Sequence, residues 1–545
     1  MKLTFARLMI LCTGASYLCM GQNYVNSQLP WHDVVLDGNG KLLAWYNAGR
    51  NQGYDKVLRL GWDFLEHQVP KDTRHGTGLK IYLINSVFDA TTLQGANWQG
   101  NPASTFGQFV DAVVGWYAYS GDEESIRVVH EMLDHQLEHG TTPADWEWAG
   151  VPFATNCDDQ VEYGRCLRGV PKEFYGGIET DKVGELGIGY ALFYELTGER
   201  KYLDAAIRCG EALAKHIRAG DAEHTPWPFR VYAKTGEVLN GEEYGGMIVA
   251  PVRLFSELIR LNTGNAAKYL ASRDLAWKWV LEYPLNSGSR AWNKWSGYFE
   301  DVPKDTDNVN QASPTMAAFY ILSSPDPAVV DRQWSSHVGH MIDWVRQRFG
   351  RGPYFGAWAI DEQGTPDGRG CCSRAGLASD TSRWGAINAL YCEKTGDSQA
   401  REDAFRSLNY ATYFAASDGK IACCGLDYAD SYWFDDGYAD HIRNYLWAMG
   451  AVPTFAPSGE NHLLRSSSVV TKIAYQTHKI VYRTFAGDAT EAFRINFKPA
   501  YVTAGGTELS EHSDLRGPGY TLQSLPGGDY VLRIRHGDAR DVEVF

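Results

Sequence analysis

Two carboxylates four residues apart, Asp181 and Glu185, are the first candidates for chemistry in this chain. They lie in a segment, 176–185, that begins with two glycines and continues as a helix, so both side chains are expected on one helix face. Like charges this close raise the pKa of one carboxyl group, which is how a general acid is made at neutral pH. The dipole at a helix start also favours acidic residues and lowers their pKa. Capping therefore stays open as the role of both.

A second concentration of candidates is the segment 292–311, which combines aromatic rings, carboxylates and amides. Sugar hydroxyls and the apolar faces of sugar rings require this mixture. Glu300 and Asp307 are candidates for catalysis, and Trp295 and Asn308 for ligand contact. Packing is the alternative role of Trp295.

The segment 432–441 is dense in titratable groups. Asp436 and His441 are catalytic candidates here, and Trp433 and Tyr438 are candidates for ligand contact. The acidic run lacks the spacing of a calcium-binding loop, and no Cys/His spacing indicates zinc. We therefore expect no metal and no cofactor.

Four further side chains stand just before or at the start of helical segments: Trp227, Tyr244, Arg383 and Trp384. The aromatic rings could stack on a sugar face, and the guanidinium could bind the carboxylate of a uronic acid. Arg383 could equally form a structural ion pair with Asp380. The chain contains neither a G-x-S-x-G nucleophile elbow nor a glycine-rich phosphate loop after a strand.

These residues must be positioned by helices, because the chain contains six segments with one kind of ending. In each, an aromatic or aliphatic run closes in a small turn, usually with a glycine that suits a left-handed helix cap. The six endings lie at 116–121, 194–198, 260–264, 320–324, 391–396 and 446–450.

Charge-rich amphipathic helices alternate with these more apolar, Gly- and Ala-rich segments. They are predicted at 53–69, 122–139, 200–217, 265–283, 328–349 and 398–416. Two helix classes alternating six times predict a mainly α fold, an (α/α)6 toroid of six inner and six outer helices. The tight turns would gather on one face and the long connections before the inner helices on the other.

After Pro453 and Pro457 the hydrophobic period changes from helical to twofold, with glycine turns between the apolar runs. We expect a small C-terminal β-sandwich at 460–545 packed beside the toroid, which is assigned to 22–452. A structural cap without ligand contacts is the simpler role for this sandwich.

The six inner/outer hairpins, endings such as Tyr194-Glu195-Leu196-Thr197-Gly198 and the trailing β-domain resemble the six-hairpin glycosidase superfamily. The resemblance covers most of residues 45–545 and rests on architecture and turn style. It implies a carbohydrate-processing protein, such as an inverting glycoside hydrolase, an unsaturated-uronyl hydrolase, a sugar epimerase or a polysaccharide lyase. It transfers no catalytic residue, because fold likeness alone does not fix a reaction.

Our leading hypothesis is a glycoside hydrolase acting on an oligo- or polysaccharide with two carboxylates, one protonating the leaving oxygen and one activating water. These are chosen from Asp181, Glu185, Glu300, Asp307 and Asp436.

Two alternatives remain. A polysaccharide lyase would use Tyr438 or His441 as base, with Arg383 or Asn308 neutralising a uronate. A non-catalytic glycan-binding protein would fit the 18 Trp and 31 Tyr residues equally well.

Composition limits the partners and the compartment. Apolar residues make up 44% of the chain, as in globular proteins, and the formal net charge of −15 disfavours nucleic acid and anionic membranes. Residues 1–21 have the pattern of a signal peptide, and no run is long enough to span a bilayer. We expect a secreted or periplasmic protein, with a lipid anchor at Cys19 as the alternative.

The later cysteines suit an oxidising compartment. A 157–166 disulfide and pairing between the doublets 371–372 and 423–424 are expected, with Cys209 and Cys392 as thiols inside helices.

Overall fold

The computed structural model describes residues 28–73, 78–83, 88–95, 102–154, 176–222, 224–239, 248–285, 309–364, 376–423 and 432–545. Its main elements are twelve helices that alternate between two rings. They are α1 (Gly53–Asp63), α2 (Pro102–Ser120), α3 (Glu123–His139), α4 (Thr180–Thr197), α5 (Arg200–His216), α6 (Val249–Arg260), α7 (Ala266–Glu282), α8 (Ala312–Ser323), α9 (Trp334–Phe349), α10 (Ala378–Thr395), α11 (Ser398–Thr412) and α12 (His441–Ala451).

The even-numbered helices form a closed inner ring. Each packs against the next, from α2 through α4, α6, α8 and α10 to α12, and α12 packs back against α2. Each odd-numbered helix from α3 to α11 packs outside the inner helix that precedes it, and α1 packs outside α12. This is the predicted (α/α)6 toroid.

The tight endings are present as predicted. Gly198 and Gly396 follow α4 and α10 with φ angles of 77° and 76°, and their N–H groups bond back to the last helical turn. A left-handed backbone ends each helix and redirects the chain to the outer ring.

Glycines within the inner helices allow those helices to approach each other closely. A Cβ atom at Gly189 would lie 3.2 Å from the Cα of Gly107, and one at Gly184 would lie 2.5 Å from the backbone nitrogen of Pro251. The first contact joins α4 to α2 and the second joins α4 to α6. The ring closes tightly because these positions carry no side chain.

One outer helix differs from its predicted range of 328–349. A short helical turn, Pro327–Val330, is separated from α9 by Asp331, whose φ of −147° is extended. The Asp331 carboxylate accepts a hydrogen bond from the backbone of Gln333 and contacts the ring of His337 at 2.6 Å. A local side-chain bond therefore competes with continuous helix at this position.

Strands form small two- and three-stranded sheets in the toroid and two larger sheets beyond it. The strands of the small sheets are β1 (Gln28–Leu29), β2 (His32–Asp33), β3 (Gly177–Glu179), β4 (Arg230–Tyr232), β5 (Glu237–Val238), β6 (Val309–Asn310), β7 (Gly350–Tyr354), β8 (Ala357–Ile360) and β9 (Gln363–Gly364). The later strands are β10 (His462–Ser466), β11 (Val470–Gln476), β12 (Lys479–Thr484), β13 (Thr490–Ile495), β14 (Val502–Ala504), β15 (Thr507–Leu509), β16 (Gly519–Ser524), β17 (Tyr530–Arg535) and β18 (Asp541–Val544).

The later strands build the predicted β-sandwich. One sheet has the order β10-β13-β17-β16 and the other β11-β12-β18-β14-β15, and all pairs within them are antiparallel. Their inward side chains join the same apolar core as the helices.

The sandwich lies on the face of the toroid that carries the tight turns. The Tyr475 hydroxyl donates to the Ala118 carbonyl at 2.6 Å, and His462 Nδ1 lies 2.9 Å from the Tyr119 carbonyl. Arg465 forms an ion pair with Glu393. The sandwich therefore covers the C-terminal ends of inner helices and leaves their N-terminal ends, where the long connections enter, on the opposite face.

Cys209 is a buried free thiol, as expected, and Cys392 is a half-buried free thiol. Within the described ranges no two cysteines form a disulfide, while residues 157, 166, 371, 372 and 424 lie outside those ranges. In the part of the chain that the structure describes, no helix combines the length and apolar character needed to cross a membrane. The division into domains at 452 and 460 stays a prediction.

Candidate functional site

A chain of ion pairs begins at the N-terminal ends of α8 and α10. The amide of Gln311 donates to Asp380 at 2.6 Å, and Arg383 donates to the Gln311 oxygen at 3.2 Å. Arg383 also lies 3.1 Å from Asp380. All three side chains are buried. The structural ion pair foreseen for Arg383 is therefore present.

The same network continues through α12 to α2. Asp440 forms an ion pair with Arg383 and accepts two hydrogen bonds from Arg443, at 2.7 and 2.9 Å. Arg443 reaches Asp111 at 3.3 Å. The side chain of Asp111 is 19% exposed, against 2% for Asp440, so the network ends on a carboxylate that faces the toroid axis.

Glu185 faces the axis from α4. Its carboxylate accepts hydrogen bonds from the Ser104 hydroxyl at 2.8 Å and from the Gln108 amide at 3.3 Å, both on α2. The side chain is half-buried. These two donors hold an accessible carboxylate in one orientation at the mouth of the toroid.

Asp181, one turn earlier on α4, is buried, and Lys182 donates to its Oδ2 at 3.0 Å. Among the described residues its Oδ1 has no hydrogen-bond partner. Burial raises the pKa of Asp181 to about 6, the Lys182 ammonium opposes this, and the Glu179 and Glu185 carboxylates add to it. The pKa thus moves in the direction expected from paired carboxylates, with burial as the larger cause.

A strand places the start of α4. β3 leads directly into the helix, and Glu179 at its end forms a fully buried ion pair with Arg230 of β4 at 2.8 Å. The Thr180 hydroxyl donates to the Pro228 carbonyl at 2.9 Å. These bonds hold the first turn of α4, and with it Asp181, against the hairpin.

An aromatic pair lies deeper on the axis. Phe319 of α8 and Trp447 of α12 stack with ring centroids 3.9 Å apart. The guanidinium of Arg253 lies 5.0 Å from the Phe319 centroid, and that of Arg443 lies 5.0 Å from the Trp447 centroid. Two arginines therefore enclose two rings, in a column built by α6, α8 and α12.

Three residues predicted to contact ligand through their side chains lie in the core. Trp227 is fully buried and donates to the Leu213 carbonyl at 2.9 Å, and Trp384 is fully buried and donates to the Ile342 carbonyl at 3.2 Å. Tyr438 is fully buried as well, and its hydroxyl donates to the Gly419 carbonyl at 2.9 Å. Their polar atoms serve packing in this structure, so ligand contact would require them to leave the core.

His441 is also buried. Its Nδ1 lies 3.1 Å from both the Ala378 carbonyl and the Ser382 hydroxyl, and its Nε2 lies 3.3 Å from the Tyr445 hydroxyl. Burial lowers the pKa of His441 to about 3. The imidazole is therefore neutral and joins α12 to α10.

Of the remaining predicted residues, only Trp433 has a side chain that the structure describes. Trp433 is half-buried, just before the π-helical turn Phe434–Asp440. The predictions for five side chains concern parts of the chain outside the described residues: Tyr244, Trp295, Glu300, Asp307 and Asn308. The prediction for Asp436 also concerns a side chain outside the described part.

Sequence reasoning missed three charged residues on the axis, Asp111, Arg253 and Arg443. Asp111 stands alone between Phe106 and Trp116 in a run without other charges. A lone charge within an otherwise apolar inner helix is the signal that could have found it, because a charge there must face the axis or a partner.

Neither a protein-family model nor a curated protein matches this sequence. Solved structures do match. A sugar epimerase from a ruminal bacterium has a TM-score of 0.54 at 8% identity, over 73% of this chain and 98% of that one. A cellobiose 2-epimerase from Bacillus thermoamylovorans has a TM-score of 0.52 at 10% identity, over 73% and 98%. A D-mannose isomerase has a TM-score of 0.51 at 11% identity, over 74% and 96%.

At these identities the likeness concerns the fold. This chain therefore shares the six-hairpin toroid of these structures, and its subfamily is unresolved.

Proposed function

We propose that this protein is a carbohydrate-active enzyme, a glycoside hydrolase in which Asp181 is the general acid and Glu185 the second carboxylate. The observation that carries the proposal is the pair itself. One carboxyl group has a pKa raised to about 6, and the other is accessible and held by two hydrogen-bond donors one helical turn away. Two carboxyl groups in unlike environments are the requirement for acid and base roles in one site.

The roles follow from the contacts. Asp181, protonated below its raised pKa, would protonate the leaving oxygen. Glu185, accepting bonds from Ser104 and Gln108, would activate water in an inverting reaction. Glu300, Asp307 and Asp436 stay as alternative partners for either role.

The fold supports a sugar as ligand, because the neighbouring structures are a sugar epimerase, a cellobiose 2-epimerase and a D-mannose isomerase. The lyase alternative is weaker, since both of its predicted bases, Tyr438 and His441, are fully inaccessible and hydrogen-bonded, whereas 11% of the Asp181 side chain is exposed.

The test is a panel of neutral and acidic glycans incubated with wild type, Asp181→Asn and Glu185→Gln. Glu211→Gln is the matched control, because Glu211 is exposed on α5. Reducing ends report hydrolysis, ultraviolet absorbance reports elimination, and sugar analysis of uncleaved product reports epimerisation or isomerisation. We expect reducing ends from wild type and control, and a loss of about 10²- to 10⁴-fold in both variants.

An undiminished rate in Asp181→Asn would remove that residue from catalysis. An ultraviolet-absorbing product would establish the lyase, and a converted but uncleaved sugar would establish an epimerase or isomerase. Glycan binding without any product, unchanged in both variants, would establish the binding protein.

A further inference from the structure

Arg253 is a charged group on the toroid axis that makes no hydrogen bond to the residues that the structure describes. Its charge interacts with Asp111 of α2, Glu185 of α4 and Arg443 of α12, and its guanidinium lies over Phe319 of α8. Groups on four other inner helices surround it, which places it on the axis. Among the described residues its guanidinium has neither a hydrogen bond nor an ion pair.

The other two arginines on the axis, unlike Arg253, have hydrogen-bond and ion-pair partners within the fold. Arg383 and Arg443 share the carboxylate of Asp440, and each has a further partner. Arg253 is partly exposed, and none of its guanidinium nitrogens is a buried atom without a partner, so its donors stay open to solvent and to an incoming ligand. A group that stays charged at every working pH gains most from an anion brought to it.

The aromatic column lies against the guanidinium of Arg253. Its guanidinium lies 5.0 Å from the Phe319 centroid, and Phe319 is held by its stack on Trp447. A ring contact of this kind stabilises the cation through its face. The N–H donors lie in the plane of the guanidinium, so they remain available at its edge for a planar acceptor.

The close contact of two helices puts Arg253 next to the proposed catalytic pair. Gly184 of α4 allows the backbone of Pro251 on α6 to approach, and Glu185 and Arg253 follow these residues in sequence. Burial lowers the pKa of Arg253, while the carboxylates of Asp111 and Glu185 act against that shift. Arg253 and Glu185 are therefore electrostatic neighbours on two inner helices that pack against each other.

We propose that Arg253 binds the carboxylate of an acidic sugar, a uronate, and so selects acidic sugars over neutral ones at the proposed active site. This rests on the proposed function and specifies its substrate class. The planar fork of a guanidinium fits a carboxylate with two parallel hydrogen bonds. One such group accommodates one uronate, which agrees with a chain whose net charge of −15 repels a dense polyanion.

The test measures binding, independently of cleavage. Isothermal titration calorimetry compares D-glucuronate with D-glucose, and D-galacturonate with D-galactose, on wild type, Arg253→Gln and Arg253→Lys. Arg208→Gln is the control, because Arg208 is an exposed arginine on α5. Thermal unfolding by circular dichroism verifies that each variant is folded, and Arg253→Lys keeps the positive charge if Arg253→Gln does not fold.

We expect at least one uronate to bind wild type and the control about tenfold or more tightly than its neutral counterpart. Arg253→Gln should lose this preference and keep neutral-sugar binding, and Arg253→Lys should retain part of it. Equal affinities in wild type, no binding of either sugar, or a full preference in Arg253→Gln would overturn the proposal.

The two proposals fail separately. A uronate preference that depends on Arg253, without any glycan cleaved, would leave this inference standing and refute the hydrolase. Cleavage that depends on Asp181, without a uronate preference, would do the reverse.

Discussion

Replacing Asp181 by asparagine should change how the stability of the protein depends on pH. The folded-state pKa of Asp181 is raised from 3.8 to about 6, mainly by burial. A group with a raised folded pKa binds its proton more tightly in the native state than in the unfolded chain. Its stabilising contribution is present in full below the unfolded pKa and is lost as the pH rises through about 6.

The magnitude follows from the size of this shift. Each pKa unit corresponds to about 1.4 kcal/mol, so the shift from 3.8 to about 6 corresponds to about 3 kcal/mol of unfolding free energy. Asparagine has nearly the shape of the protonated acid and does not ionise. Relative to Asp181→Asn, wild type should therefore lose about 2.4 kcal/mol between pH 4 and pH 7, since the rest of the difference already develops below pH 4. Other buried acids cancel in this difference because both proteins contain them.

The assay is urea unfolding of wild type, Asp181→Asn and Glu211→Gln at unit steps from pH 4 to pH 7. Subtracting the two unfolding free energies at each pH isolates the single carboxyl group. The same ionisation should lower the rate of the proposed glycoside hydrolysis as the pH rises through about 6, because a general acid must carry its proton. Parallel stability profiles for wild type and Asp181→Asn would show that the pKa is not raised and would refute the acid role.

Two further substitutions test the architecture of the site. Asp440→Asn should lower the free energy of unfolding, measured by urea denaturation, by about 3–5 kcal/mol, because Arg383 and Arg443 would lose the carboxylate that they share. A loss below about 1 kcal/mol would contradict this ion-pair network. Gly184→Ala should lower the melting temperature and weaken uronate binding together, because its Cβ would lie 2.5 Å from the backbone of Pro251. Unchanged melting in that variant would show that α4 and α6 are less closely packed than described.

The toroid could be predicted from the sequence because its signals are local and repeated. A glycine such as Gly396, placed after an aromatic run, determines a helix end through its own backbone conformation. The break at Asp331 could not be predicted in the same way. The break depends on a contact between the Asp331 carboxylate and the His337 ring, and the spacing of hydrophobic residues carries no information about such a contact.

The candidate site was only partly predictable, because burial on a closed ring depends on distant helices. The placement of Asp181 and Glu185 one turn apart on one helix could be predicted, because their spacing is local information, while their catalytic role stays a prediction. Trp384 was a reasonable ligand candidate by type, yet its indole donates to the Ile342 carbonyl of an outer helix. Arg253 was missed for the opposite reason, because its neighbours come from four other helices and none is close in sequence.

The charged side chains on the two sides of the axis differ in how they are paired. On the α10–α12 side, Asp440 is shared by Arg383 and Arg443, so these charges are already engaged within the fold. On the α4–α6 side, the described part of the structure leaves the buried Oδ1 of Asp181 and the partly exposed guanidinium of Arg253 without hydrogen-bond partners. A buried polar group without a partner is costly unless a ligand supplies one. The sandwich covers the face of the toroid that carries the tight turns. A ligand that supplies the missing hydrogen-bond partner would therefore enter at the N-terminal ends of the inner helices, where Asp181 lies in the first turn of α4.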